Sequence, residues 1–461
     1  MPEIITNNDA QYAFDIVKTI CTEVGPGLPG STQEWERAGI IQKELESHLG
    51  EGNVVVEEFT VAPMAFHGIL RVSALFTLIA ALLNISMGRI TGVSPWLTAI
   101  ASLAFSILAV VPVVFETILY REFADPLFKK KQSVNVIGTL RKPGTEDVKR
   151  LLILGGHHDS ALEFIWLRVL DGVKRRINLS GQHSGAWENR SIRGLTVVFV
   201  VLTVTMFVGP IVMLVMSILQ LTGMISGNAG IVRIATLGWV LLVYPIVPSI
   251  LVGMSYTRGG KDGGNVPGAA DNLSASAVAV AMCRFLVRNP SYLPNDTEIR
   301  FISFGSEEVG LRGSRRYVER HQDELKRLDA RLLNFEMVAH PEIGIYTSDV
   351  NGTVKNSPEM VESAIAAAKR AGVPYKIKSA SLGVATDAGP FSRAGPAHAS
   401  ALLVAFYATM VATNAGVILL FGTTRFLGSG ARRTLVLVSA LALAALGAYQ
   451  LLASVLATTG P

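Results

Sequence analysis

The sequence predicts an α/β domain that is interrupted twice, and followed once, by pairs of apolar helices. Apolar runs of strand length, such as Ile299 to Phe304, alternate with stretches of helical apolar spacing. Uncharged runs of bilayer-spanning length come in close pairs, at 72–115, 195–256 and 401–457. A short-linked pair returns the chain to the side it left, so the segments between the pairs can reunite as one fold.

Composition agrees with this layout. Half of the 461 residues are hydrophobic, 17% are charged and mean hydropathy is +0.41, too apolar for a purely soluble protein. Net charge is +5, but residues 1–67 hold eleven Asp and Glu against three Lys and Arg. Basic residues gather beside the apolar runs, which points to a membrane surface rather than nucleic acid. Cys21 and Cys283 make no disulfide framework, and both sit in apolar helical patterns as buried thiols. Met1 to Ala10 is polar and acidic and lacks the pattern of a cleavable signal peptide.

Taken in order, residues 1–67 begin the α/β domain. Tyr12 to Val24 has helical spacing, and Gly25 to Ser31 is a turn-rich break. Ser31 or Thr32 caps a helix to about Leu49, and Val54 to Val61 reads as a strand. The first apolar pair occupies 68–120, with spans at Val72–Gly88 and Pro95–Phe115. Residues 121–193 return to the domain, with strands at Val134–Leu140 and Leu151–Leu154, then a basic linker. The second pair, in 194–257, spans at Leu195–Leu221 and Ile234–Tyr256. Residues 258–400 carry helices at Asn272–Val287, Leu311–Leu328 and Pro358–Ala371, and strands at Ile299–Phe304, Leu332–Val338 and Ile343–Thr347. The last pair lies in 401–461; the polar residues Tyr407, Thr409, Thr413 and Asn414 leave its first member, 401–421, open to a role as a buried domain helix. More basic residues flank the domain side of the spans (Arg71, Arg121, Lys129, Lys130, Lys131, Arg190, Arg193, Arg258, Lys261, Arg393) than the far loops (Arg89, Arg233, Arg425, Arg432, Arg433). The positive-inside bias therefore predicts a cytoplasmic domain in a multi-pass membrane protein.

Four short stretches hold residues suited to chemistry. Gly155-Gly156-His157-His158-Asp159-Ser160 closes a strand; a His with an Asp two residues on makes a ligand with an orienting carboxylate, or a polar turn. Asp271, in Gly268-Ala269-Ala270-Asp271-Asn272, is a helix cap or a ligand. Glu307 and Glu308 follow a buried strand, where α/β sheets place ligands, or form a solvated pair in a helix's first turn. Glu336 interrupts an apolar strand and needs a partner there. One His and several carboxylates suit zinc or a similar divalent ion, and a further Glu suits general-base hydrolysis.

Together these motifs resemble the aminopeptidase and glutamate carboxypeptidase family of co-catalytic zinc exopeptidases. His157 and Asp159 match its His-x-Asp motif, and Asp271 its bridging Asp before Asn. Glu307, Glu308, Gly310, Leu311, Gly313 and Ser314 match its Glu-Glu-x-Gly-Leu-x-Gly-Ser run, and Glu336 its later acidic ligand. Glu307 follows Asp271 by 36 residues and Glu336 follows Glu307 by 29, in keeping with the family; the second apolar pair fills the unusual gap before Asp271. Gly25-Pro26 with Gly30-Ser31 resembles the family's N-terminal turn, with Gly27 where an Arg is usual.

The resemblance implies a mixed central sheet flanked by helices and up to two zinc ions. His157, Glu336 and the bridging Asp271 would hold one ion; Glu308, Asp271 and a final His would hold the other. Glu307 would be the general base and Asp159 would orient His157. The family's final His-Thr motif is missing: Ala397-His398-Ala399-Ser400 runs directly into an apolar segment. His398 is the substitute, with His340 a weaker one, and His158 a neighbour that does not ligate. The expected function is a membrane-embedded zinc exopeptidase, an aminopeptidase acting on peptides. The alternative is a non-catalytic membrane receptor or scaffold on a degenerate peptidase fold. The spans show no mid-membrane charge pairs, which argues against transport.

Overall fold

The computed structural model describes residues 5–86, 95–145, 147–163, 266–381 and 384–394. The apolar pairs expected at 194–257 and 401–461, the linker that precedes the former, and His398 lie outside the described residues.

A five-stranded mixed sheet organises the domain in the order β1-β2-β4-β3-β5. Its strands are β1 (Val54–Val61), β2 (Lys131–Arg141), β3 (Arg150–His157), β4 (Thr297–Phe304) and β5 (Arg331–Asn334). The β1–β2 and β2–β4 pairs are antiparallel, whereas β3 runs parallel to both β4 and β5. The register sets His157 beside Phe304 and Gly155 beside Asn334, so β3, β4 and β5 end together along one edge.

Helices cover both faces because β4, buried along its whole length, offers apolar side chains to each. Ile299 and Phe301 pack with Val134, Val136 and Leu154 under α1 (Asn7–Thr19), α2 (Thr32–Leu49) and α5 (Ser274–Arg288). Ile302 and Phe304 point the other way, with Ile153 and Tyr317, beneath α6 (Arg312–Arg327). The α5 helix lies close on β3: a Cβ at Gly156 would come within 2.4 Å of the Ala275 Cβ, so only glycine fits. Helix α2 begins where Ser31 accepts a hydrogen bond from the Glu34 N–H (3.2 Å).

Between β1 and β2 the chain makes an apolar hairpin, α3 (Pro63–Ser86) and α4 (Pro95–Val113). The helices are joined by hydroxyls, from Ser73 to the Ala109 carbonyl (2.8 Å) and from Ser102 to that of Ala80 (3.0 Å). The helix starts at Pro63 rather than after residue 67, because Ala65 and Ile69 pack into the domain beside Ala62 and Ala124. Three helices among the described residues are long and apolar enough to cross a membrane: Pro63–Leu83, Ile100–Ile118 and Ala269–Arg288. The third owes its character to the core, since Ala277, Val280 and Cys283 are buried against the sheet.

The strand expected at Leu332–Val338 stops at Asn334. The side chain of Asn272 takes over from the ladder there, donating to the Phe335 carbonyl (3.1 Å) and accepting from the Met337 N–H (3.1 Å). Glu336 therefore stands just past the strand. Beyond it lie β6 (Ile343–Tyr346), the short pair β7 (Ser348–Asp349) and β8 (Val354–Lys355), and α7 (Pro358–Ala371). A strand and a short helix that the sequence pattern did not reveal follow, β9 (Tyr375–Lys378), parallel to β6, and α8 (Ala388–Ala394).

Candidate metal centre

His157 is the last residue of β3 and is buried. Its Nε2 lies 3.3 Å from Asp271 Oδ1, 3.5 Å from Glu307 Oε2 and 3.6 Å from Glu336 Oε1. Its Nδ1 faces Asp159 Oδ1 at 3.3 Å. In each of two groups, His157–Asp271–Glu336 and His157–Glu307–Glu308, one ligand atom from every residue lies within 4.8 Å of the others. The residues come from separate parts of the chain: His157 ends β3, the adjacent Glu307 and Glu308 follow β4, Glu336 follows β5, and Asp271 sits in the turn entering α5.

Helix α6 starts only at Arg312, so the Glu pair belongs to the loop between strand and helix, not to a helix's first turn. Asp159, with no exposed surface, holds that loop: its two oxygens accept the Glu307 N–H (3.0 Å) and the Glu308 N–H (3.1 Å). Asp159 thus touches both the imidazole and the carboxylate pair. Asp271 caps no helix; the residue preceding α5 is Leu273, and the Asp271 carboxylate turns to His157.

The electrostatics are those of crowded negative charge. Burial pushes the carboxyls of Glu307 and Glu308 well above the usual range; His157 draws both down, and neighbouring acids oppose it. Burial likewise raises Glu336. For His157, burial disfavours the imidazolium, but Glu307, Asp159, Asp271 and Glu336 outweigh it and hold the pKa well above its ordinary value. Among the described residues, Glu308 Oε1 and Glu336 Oε2 are buried without a hydrogen-bond partner. Partly buried carboxylates around a buried imidazole, some of their oxygens unpaired, fit a divalent cation of the zinc type.

The remaining histidines separate clearly. His158 is buried and bonds Ser303 Oγ through Nδ1 (2.9 Å), and burial lowers its pKa to about 4. His340 is exposed and accepts from the Glu342 N–H (3.1 Å). His48 meets Tyr12, and His321 meets Glu57.

Two charged residues near the centre escaped sequence reasoning, and a third, Asp387, is marked in the sequence only by Thr386-Asp387, which resembles the family's Ser/Thr-Asp turn. Glu34 and Arg37, on α2, are both fully buried. At the Gly25–Ser31 turn the guanidinium comes from Arg37, whose Cδ lies within 2.5 Å of where a Cβ on Gly27 would be. Charged residues three apart on a helix read as a solvated face, and only the Gly27 departure hinted otherwise. Asp387 is also fully buried, and burial pushes its carboxyl up to about 7.

Residues 254–415 match the family pattern described as Peptidase family M28. This region includes Asp271, Glu307, Glu308 and Glu336; His157 and Asp159 precede it. Aminopeptidase YwaD of Bacillus subtilis is 37% identical over 133 residues, covering 28% of this chain and 27% of that protein. An aminopeptidase of Pseudomonas aeruginosa is 37% identical over 87 residues, covering 19% of this chain and 16% of that protein. The matches thus span about a quarter or less of these relatives. Among solved structures, the zinc aminopeptidase BSAP from Bacillus subtilis aligns with TM-score 0.41 and 16% identity over 84% of this chain and 83% of that one. An Acidobacteriales bacterium glutaminyl cyclase aligns with TM-score 0.40 and 13% identity over 84% and 76%.

Proposed function

We propose that this chain, which carries a Peptidase family M28 region, is a zinc-dependent exopeptidase held in the membrane, and that it removes residues from the amino end of peptides. One observation carries the reading: a buried imidazole nitrogen of His157 has oxygens of Asp271, Glu307 and Glu336 within 3.6 Å, with Glu308 in the same cluster.

His157, Asp271 and Glu336 would hold one zinc ion. Glu308, with Asp271, would serve a second, which His398 would complete. Zinc, when bound, supplies Lewis acidity: it polarises a carbonyl and makes water acidic enough to lose a proton near neutral pH. Glu307 takes the proton of the attacking water on a carboxylate oxygen and gives it to the leaving amine. Asp159 fixes the imidazole ring of His157 and, through two backbone N–H groups, the direction of the Glu pair.

Length and composition of α3 and α4 support membrane embedding. The basic residues flanking the apolar runs support a cytoplasmic site.

The test uses the full chain purified in detergent and loaded with zinc. It should hydrolyse an aminoacyl p-nitroanilide, and Glu307→Gln should lower kcat by about 10²–10⁴-fold while zinc is retained. Equal activity in the variant removes Glu307 from the base role. A chain that carries almost no zinc supports instead the receptor or scaffold reading, which the missing His-Thr motif favours.

A further inference from the structure

We propose that Arg312 is a positioning residue for the Glu307–Glu308 loop, and that Glu116, in the turn that ends the second apolar helix, holds it in place. The hairpin is then part of the site's framework as well as an anchor. The inference rests on the roles given above to Glu307 and Glu308.

The loop from Gly305 to Leu311 is turned by backbone that needs support. Ser306 and Leu311, neither a glycine, have φ of 53° and 61°, and Gly310 has φ of 107°. The N–H of Leu311 closes onto the Glu307 carbonyl (2.8 Å), and that of Arg312 onto the Ser306 carbonyl (3.1 Å). Asp159 holds the loop's middle. Arg312 holds its far end, donating from Nε to the Val309 carbonyl (3.1 Å).

The Arg312 side chain is 1% exposed and reaches away from the loop into the segment after α4. Its Nη2 lies 2.5 Å from Glu116 Oε1 and 2.9 Å from Asp125 Oδ1, and Nη1 lies 3.2 Å from Glu122 Oε1. Glu116, also fully buried, accepts the Ala124 N–H on its other oxygen (2.8 Å). The same segment is tied to the domain twice more: Asn351 donates to the Ile118 carbonyl (2.9 Å) and Arg393 to that of Leu119 (3.0 Å).

A buried ion cluster is a poor way to gain stability, because desolvation of the charges offsets much of their attraction. What it provides is direction, since a guanidinium bound to several partners has one allowed place. Here that place fixes Val309 and the start of α6, one residue beyond Glu308. A small shift of a carboxylate that must align with a reacting water costs far more rate than stability.

The test compares the full chain with Glu116→Gln, the conservative Glu116→Asp and the double variant Glu116→Met/Arg312→Met, all zinc-loaded in detergent. The double variant replaces the Glu116–Arg312 pair with apolar volume, while Asp125 keeps Arg315, Arg316 and Lys130 nearby, so it keeps the test open if Glu116→Gln unfolds. Expected is a fall in kcat of about 10–100-fold in Glu116→Gln and in the double variant, with KM within about threefold of wild type and zinc retained; Glu116→Asp should recover part of it. A folded double variant with wild-type kcat overturns the proposal, as does a change in KM alone. Hydrogen exchange of the 305–311 amides, read on the same samples, needs no activity. A rise confined to 305–311 and 116–125 supports the positioning role even if the wild-type chain hydrolyses no peptide, in which case the peptidase reading fails separately. Unchanged exchange there overturns the proposal.

Discussion

Glu34 and Arg37 stand one turn apart at the start of α2, both fully buried, and each grips a different wall of the candidate metal centre. Glu34 Oε1 accepts from the N–H and hydroxyl of Ser306 (2.8 and 2.9 Å), immediately before Glu307, and from Ser133 Oγ (3.0 Å). Arg37 donates to the carbonyls of His158 (3.0 Å) and Pro267 (2.6 Å), next to His157 and just ahead of Asp271, and to that of Gly25. One helical turn therefore sets the distance between the Glu pair and the His157–Asp271 side. Arg37→Met should leave buried carbonyls unpaired and cost about 1–3 kcal/mol for the first of them. Denaturant unfolding measures that loss, and chelator competition should show weaker zinc binding in the variant that still folds. Unchanged zinc affinity would mean that Arg37 serves the fold alone.

Asp159 is the next joint. It meets the imidazole at 3.3 Å and takes both N–H groups of the Glu pair, so one substitution disturbs His157 and the Glu pair together. In Asp159→Asn the amide can still accept one of these N–H groups but brings no charge to the imidazole. Zinc affinity or kcat should fall by about 10–100-fold, as for other partners that orient metal ligands. Zinc titration and steady-state kinetics on the same preparation check this, and wild-type values in both would refute it.

How much of this was legible in the sequence depended on whether the signal was local. The strand at Val54–Val61 and the helix at Pro358–Ala371 follow alternation, spacing and capping, and the structure has them at those residues. His157, Asp271, Glu307, Glu308 and Glu336 stand at element ends in recognisable motifs, and the fold gathers them into two adjoining groups. The end of β5 was not legible, because it is set by Asn272, distant in sequence, which replaces the next strand neighbour. Nor were Glu34, Arg37 and the Glu116–Arg312 pair. Each is a charge in an ordinary helical or apolar stretch, and its partner comes from far along the chain.

Cys283 belongs to the core under the sheet, with no exposed surface, and burial pushes its thiol up to about 12. Cys21 is partly exposed, and burial also raises its thiol. At pH 8 the folded chain should therefore react with N-ethylmaleimide slowly and at Cys21 alone, since the thiolate is the nucleophile. Both should react once guanidinium unfolds the chain. The linkage has a definite sign. Above about pH 9 the unfolded thiol loses its proton while the folded Cys283 keeps it, so the unfolded state binds fewer protons and stability falls as pH rises towards 12. Cys283→Ala, compared with wild type by denaturant unfolding from pH 8 to 10.5, should remove that part of the alkaline decline. Native labelling of Cys283 at the rate of Cys21 would show that the core opens more readily than its packing implies.

The two ligand groups share His157 but not their carboxylates, and this makes Glu336 and Glu308 unequal. Glu336 groups with Asp271 and His157, all three among the described residues. Glu308 groups with His157 and Glu307 and has no second histidine beside it among the described residues. Zinc at about 100 times its dissociation constant should stabilise the folded chain by about 2.7 kcal/mol, read as a rise in Tm over chelator-treated protein. Glu336→Gln should lose most of that rise and most of the bound zinc. Glu308→Gln should keep the tighter ion and lose only the weaker. Elemental analysis of the three preparations after gel filtration distinguishes these outcomes. Equal zinc loss in both variants would mean that the groups form one site, with Glu308 as necessary to it as Glu336.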